Sequence, residues 1–547
     1  MAVLPAEEKR KPYLMVEEEH PGDGVEPPVF RVDETTPEVV QSVLLEHGWN
    51  EFDKGTRDAE DEDWNLYWRA SPFPMVEHAN LKPWPQLNHH PRTAKLTRKD
   101  DLAKLLKYMK GVYGASLYEF IPLTFIMPND YHKFVAEYSK ERQMFGTKPG
   151  YWICKPAELS CGRGILIFND IKDLVFHDTY VVQKYICNPL LVGKYKCNLR
   201  IYVCVTGFKP LTIYIYQKGL VRFATEKFDL SNLQNNYAHL TNSSLNKLGA
   251  SYKKFEDVIG RGCKWTLSRF FSYLCSSDVD DLLLWQKINC VVILTVLTIA
   301  PSVPCAANCF ELFGFDVLTD DNLKPWLLEV NFSPDLSLHC STDVSVKRKL
   351  IHDVIELVHL TGPRNQGKGC GRAPQGDASI SFANIDRGGL SNVYSSPPYW
   401  SFLQVTGRVF TKDEPTMEKG ERTCSKNTQT SPLREQTNKQ DVLLATREPP
   451  KTEPKLTSKH TPRKPFVPYR PRIQAHGCKT GFSLGLQPDS SQEPKPQAGN
   501  FLLIFPFNEA TFGASRNGLN IKRIIRELQK LMNKQPSQMA KNETKRR

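Results

Sequence analysis

The chain has 547 residues, 40% of them apolar and 10% aromatic, enough to build two or three folded modules with genuine cores. Fourteen cysteines occur without one CxxC pair, which argues against a zinc or disulfide framework and for reduced thiols in a soluble, intracellular protein. The net charge of +12 is uneven: residues 361–547 hold 31 Lys+Arg against 15 Asp+Glu, and residues 1–360 hold 41 against 45. A basic tail attracts polyanions, acidic protein surfaces included. Its cations are not interleaved with aromatics in any nucleic-acid-binding pattern, so no nucleic-acid partner is expected.

Met1 to Lys11 is charged and has no apolar centre, so no signal peptide is expected, and residues 1–27 read as disordered. From Pro28 the pattern turns globular, with a strand at Val29–Val32 and a helix at Glu38–His47. Leu102, Leu105, Leu106 and Met109 share one face of a helix starting at Lys99, and Tyr131–Tyr138 reads as another. Strands follow at Tyr151–Cys154, Gly164–Phe168, Tyr180–Tyr185, Leu199–Thr206 and Leu211–Tyr216. Trp285–Ala300 reads as a buried helix. Its apolar run from Val291 stops at Pro301, about half of what a membrane span requires, so no span is expected. Phe310–Leu318 and Trp326–Val330 form a strand pair around a polar turn. After Leu360 the composition becomes that of a linker through Asn500. An amphipathic helix at 517–534, capped by Ser515 or Asn517, then carries Ile521, Ile524, Ile525, Leu528, Leu531 and Met532 on one stripe and is expected to dock on the body.

Several polar groups sit where apolar strands end. Glu329 and Asn331 lie two apart in LLEVN, so they share a strand face, and Asp316 ends the neighbouring strand. Three oxygen donors on adjacent strands suit Mg²⁺, which takes one or two carboxylates and completes its shell with water and phosphate. Singly, each could equally be a solvated strand end. Lys155 closes one strand and Gly162-Arg163-Gly164 opens the next, an arrangement that can set an ammonium and backbone N–H groups around phosphate. Gln183–Ile186 could present amides to an adenine. Lys196, Asn198 and Arg200 alternate onto one face, and Arg222 with His239-Leu240-Thr241-Asn242 adds further groups for carboxylate or phosphate.

In this order, Lys-Pro, GRGI, QKYI, KCNLRIY, RFA, HLTN, FELFGFD and LLEVN resemble the tubulin tyrosine ligase-like family, in its polyglutamylase branch, over about residues 28–360. The resemblance implies an α/β (α+β) ATP-grasp-like fold: a small N-terminal α/β domain at 28–95, a central domain at 96–190, a C-terminal domain at 191–360, and a basic, mostly disordered tail at 361–547. Nucleotide would lie between the central and C-terminal domains. Lys155, Cys161, Gly162, Gln183, Lys184, Tyr185, Ile186, Lys196, Cys197, Asn198, Thr241 and Asn242 would surround ATP, and Asp316, Glu329 and Asn331 would hold Mg²⁺. Arg222, Ser243, Ser244, Lys264 and Lys347 would face the incoming amino acid. Arg200 would face the reacting carboxylate and act in catalysis with Lys155.

The implied reaction is ATP-dependent addition of free L-glutamate to glutamate side chains in acidic tubulin tails, through an acylphosphate. It implies a cytoplasmic protein of the microtubule cytoskeleton, with a cilium or flagellum as a further setting. Three positions depart from the family pattern: Asn198 replaces an Asp, Phe332 a His, and Asp335 a small polar residue. Two other readings share the motifs, a glycine ligase and a catalytically weakened microtubule-binding scaffold.

Overall fold

The computed structural model describes residues 27–53, 64–82, 84–146, 150–175, 178–306, 308–361, 494–516 and 518–533. The disorder expected at the N-terminus and over most of the stretch after 360 concerns residues outside this set. The class is α/β, with three sheets.

The first sheet is parallel, with strands β1 (Val29–Val32), β2 (Asn50–Glu51), β3 (Leu66–Trp68) and β4 (Gln86–Leu87) in the order β2-β1-β3-β4. Helix Glu38–Glu46 buries Val39, Val40, Val43 and Leu44, one face of a 3.6-residue repeat. The second sheet contains β5 (Thr124–Met127), β6 (Trp152–Pro156), β7 (Leu166–Phe168) and β8 (Tyr180–Lys184), antiparallel in the order β5-β8-β6-β7. Phe125, Phe134, Trp152 and Phe168 fill its core, Phe134 coming from helix Tyr131–Phe145. That helix outruns its expected end at Tyr138.

The third sheet has nine strands: β9 (Leu191–Val192), β10 (Tyr195–Phe208), β11 (Leu211–Tyr216), β12 (Leu220–Lys227), β13 (Lys264–Thr266), β14 (Glu311–Thr319), β15 (Pro325–Asn331), β16 (Gln497–Ala498) and β17 (Phe501–Phe505). β10 organises it. Its first half pairs with β12, its second half with β11, and its middle with β14 along the opposite edge. Alternation sends Cys197, Leu199, Ile201 and Val203 into one core, beside helix Asp281–Leu297. Tyr202 and Cys204 enter the other core, beside helix Lys349–Thr361. With its one-turn extension to Ser302, the helix starting at Asp281 is long and apolar enough to cross a membrane by length and composition. Most of that surface is buried inside the body, as in the core helix of a folded domain.

The expectation of a linker through Asn500 is corrected at its last residues, where β16 pairs antiparallel with β17. All five residues of β17 are buried, and the strand pairs antiparallel with β11. A run of five apolar residues closed by Pro506 carries no periodicity, and its partner strand lies almost 300 residues upstream, so the sequence hid it. The amphipathic helix is shorter than expected, Ile521–Met532, and Asn520 caps it by accepting the Arg523 N–H at 3.1 Å. Ser515 belongs to the preceding helix, Glu509–Arg516, and Asn517 lies outside the described residues. Docking on the body is observed: Ile524, Ile525 and Leu528 join the core of helix Asp281–Leu297, and Gln286 Nε2 donates to the Leu531 carbonyl at 3.3 Å.

Candidate active site

The second and third sheets face each other across a cleft of about 860 Å³, part of it open to solvent. The floor comes from β10, β14 and β15, where register places Arg200 opposite Asp316 and Asp316 opposite Glu329. Arg200 donates to both Asp316 oxygens, Nε to Oδ1 at 2.7 Å and Nη2 to Oδ2 at 2.9 Å, and Arg222 Nη1 approaches Oδ2 at 3.4 Å. Gly314 makes room for this pair: a Cβ there would meet Arg200 Cδ at 3.3 Å and Pro334 Cβ at 2.9 Å. Asn331 Nδ2 donates to the Gly314 carbonyl at 3.2 Å and approaches Asp316 Oδ2 at 3.4 Å. The three oxygen-bearing residues therefore converge.

Burial raises the Asp316 carboxyl, but Arg200 and then Arg222 outweigh it and hold the group at about 2. Glu329 moves the other way, raised by burial and then by the Asp316 charge, with Lys99 Nζ 3.9 Å away as a loose counterion. No group of three or more His, Cys, Asp or Glu suited to a metal occurs among the described residues. Two carboxylates and an amide oxygen are hard donors of the kind Mg²⁺ takes, with the remaining positions left to water and phosphate. The crowded Asp316–Glu329 pair fits a divalent cation.

Cations enter the cleft from both sheets. Lys155, closing β6, and Lys196, on β10, are buried or nearly so, and neither has an anionic partner within ion-pair distance among the described residues. Burial pulls Lys155 down to about 8, with Glu329 resisting, and pulls Lys196 down to about 7, with Lys155 adding to the fall. Lys155 Nζ donates to Gln183 Oε1 at 3.1 Å, and Gln183 Nε2 donates to Thr124 Oγ1 at 2.9 Å, so this amide orients a lysine. Lys196 Nζ donates to the Tyr185 hydroxyl at 2.9 Å, which also meets His239 Nδ1 at 3.0 Å. Lys184 pairs with Glu141 and lies over the Trp152 ring. Between the walls, Cys161, Gly162 and Gly164 all take left-handed backbone (φ +61, +80 and +67), and the turn is closed by the Arg163 N–H donating to the Ser160 carbonyl at 3.2 Å. A Cβ on Gly162 would sit 3.0 Å from Asn242 Oδ1, so loop and wall touch.

Of the residues expected around nucleotide, Lys155, Cys161, Gly162, Gln183, Lys184, Tyr185, Ile186, Lys196, Asn198, Thr241 and Asn242 line the cleft. Cys197 does not. Alternation turns its thiol into the apolar core, where burial pushes it up to about 12. Arg222, Asp316 and Glu329 also line the cleft, whereas Arg200 lies beneath it, committed to Asp316. Ser243 and Ser244 open the short helix Ser243–Asn246 just outside the wall. Lys264 and Lys347 are drawn together by Asp343, one strand beyond Arg222. Lys99 and Asp343 escaped the sequence reading: the first looked like the polar start of a helix, and the second lies in a segment without strand alternation.

Residues 77–367 match the model of the tubulin-tyrosine ligase family. The chain belongs to that family. It is 66% identical over 531 residues to "Probable tubulin polyglutamylase TTLL2" of Homo sapiens, covering 97% of this chain and 89% of the relative. The Mus musculus protein of the same name is 61% identical over 521 residues, covering 95% of each. "Tubulin polyglutamylase TTLL5" of Mus musculus is 37% identical over 341 residues, 60% of this chain and 25% of that protein.

Two of the positions expected to depart from the family pattern have a defined physical setting. Asn198 is buried, and its Oδ1 has no hydrogen-bond partner among the described residues, so the cleft keeps an unsatisfied acceptor there. Phe332 stacks on His89, ring centroids 4.0 Å apart and planes 16° apart. His89 is in turn fixed by Glu311 Oε1 at 2.6 Å and the Arg69 carbonyl at 2.8 Å. This ring contact ties the residue after Asn331 to the segment that follows β4.

Proposed function

We propose that this chain is an ATP- and Mg²⁺-dependent ligase that adds free L-glutamate to glutamate side chains in the acidic C-terminal tails of tubulin. The observation that carries the reading is one cleft lined by Lys155 and Lys196, neither of them ion-paired among the described residues, together with Asp316 and Glu329, and with Asn331 approaching Asp316 at 3.4 Å. The names of the relatives agree with it. The place of action is the cytoplasm, on microtubules, those of cilia or flagella among them.

Bound MgATP supplies the phosphoryl group that converts an unreactive carboxylate into one an amine can attack. The chain's residues do the rest. Lys155 and Lys196 would hold phosphate oxygens, and the N–H groups of the Cys161–Gly164 loop would face the same charge. Asp316, Glu329 and Asn331 would hold the cation. Arg200 positions Asp316 and keeps it ionised, and Arg222 carries positive charge from the metal side toward the amino-acid side. Purified protein given ATP, radiolabelled glutamate and microtubules should label tubulin. Folded, nucleotide-binding protein that transfers no amino acid would overturn the reading.

The depressed lysines set a pH dependence. Phosphate binding restores their protons, because the bound anion raises both pKa values again. Nucleotide binding should therefore take up protons at pH 8, where Lys196 is largely and Lys155 partly neutral in the free protein, and almost none at pH 6, where both are already charged. Affinity should fall as pH rises through 7 to 9. Calorimetry in buffers of differing ionisation enthalpy reads this uptake, and a buffer-independent heat at pH 8 would contradict it.

A further inference from the structure

Arg222 on β12 pairs with Lys264 on β13, which brings Lys264 beside the cleft wall. Lys264 Nζ lies 2.7 and 2.9 Å from the two oxygens of Asp343, a fully buried carboxylate, and Lys347 Nζ lies 3.1 Å from Asp343 Oδ1. Lys347 also donates to the Ser337 carbonyl at 2.7 Å and to Asp335 Oδ2 at 3.3 Å. An ammonium has three donors, and all three are engaged. The acceptors differ in how firmly they are held. Asp343 is buried and shared with Lys264, and Ser337 offers a backbone carbonyl. Asp335 makes the longest bond, and its side chain is 53% exposed. Its other oxygen, Oδ1, accepts the Ser337 N–H at 3.0 Å, so the turn survives if Oδ2 leaves the lysine. Beside this cluster the Tyr202 hydroxyl is buried without a hydrogen-bond partner among the described residues, within electrostatic reach of Arg200, Arg222, Asp335 and Asp343.

We propose that Asp335 is a placeholder on Lys347, displaced by a carboxylate of the incoming amino acid, and thereby a residue that sets amino-acid affinity. The inference rests on the ligase reading above. With Asp335 swung aside, Lys264 and Lys347 share the single charge of the buried Asp343 and are left with one surplus positive charge, which is what a carboxylate requires. Asp335 thus acts as an internal competitor, and its removal favours binding.

The test is Asp335→Asn in the full chain, since an amide oxygen keeps the bond to the Ser337 N–H while losing the charge. The glutamate KM should fall about fivefold, as for a partly exposed ion pair of roughly 1 kcal/mol, with kcat and the ATP KM unchanged. Asp335→Ser serves as the second variant if the amide destabilises the turn. A purely structural residue would instead lower Tm and shift kcat or the ATP KM. Improvement confined to glutamate assigns Lys347 to the side-chain carboxylate, and improvement shared with glycine assigns it to the α-carboxylate; both support the proposal. An unchanged or higher glutamate KM in a variant with wild-type Tm overturns it. If the wild type transfers neither amino acid, the ligase reading fails instead. Calorimetric titration of free glutamate into both proteins still decides the inference, about fivefold tighter binding by the variant supporting it and equal binding sinking it.

Discussion

Glu329→Gln should cut ATP-dependent glutamate incorporation by a factor on the order of 10²–10³, the scale of losing one group that stabilises charge during transfer. The substitution preserves shape and β15 pairing, and removes one of the two carboxylates that would hold the cation. Its effect on folding should have the opposite sign. The Glu329 carboxyl is raised in the folded state, by burial and by Asp316, so its ionisation near pH 7 costs stability relative to the unfolded chain. Replacing it with a neutral amide should leave Tm unchanged or higher. Radiolabel transfer and a thermal melt on one preparation check both halves. Lost transfer with a lowered Tm would mean that Glu329 is structural.

Truncation after Leu360 should abolish folding of the body rather than trim a tail. The lost segment includes Leu502, Ile504, Phe505, Ile524, Ile525 and Leu528, all buried in the main core, and Phe501, buried in the core beside helix Lys349–Thr361. At about 1.5–3 kcal/mol per large apolar side chain, their burial contributes roughly 10–20 kcal/mol, as much as the whole net stability of a typical domain. β11 would also be left with an open edge against solvent. The truncated protein should be insoluble or lack a cooperative melt. A soluble truncation with the Tm of the full chain would show that residues 494–533 are dispensable to the core. Removal of that segment therefore cannot isolate any electrostatic contribution of the basic tail to microtubule binding.

Local periodicity made much of the site legible. A period of two put Lys196, Asn198 and Arg200 on one face, and Glu329 and Asn331 on another, and both groupings are present. It also places Cys197 in the core. Register between distant segments was not legible: Arg200 and Asp316 are 116 residues apart, and only β10–β14 pairing turns an expected catalytic arginine into the partner of an expected metal ligand. Short strands were missed for the same reason. β13 has three residues and β17 five, and each owes its stability to the neighbour it pairs with rather than to its own pattern. Asp343 is fixed by tertiary contacts alone, and no local signal marks a carboxylate that two lysines will share.

The central claim is that Asp316, Glu329 and Asn331 act with Lys155 and Lys196 on one magnesium–nucleotide complex. Calorimetric titration of the folded full chain with a non-hydrolysable ATP analogue, with and without Mg²⁺, tests it most directly. The account predicts one site per chain whose affinity falls at least about tenfold when Mg²⁺ is withheld. Absent binding, or binding of equal strength with and without the metal, would contradict it.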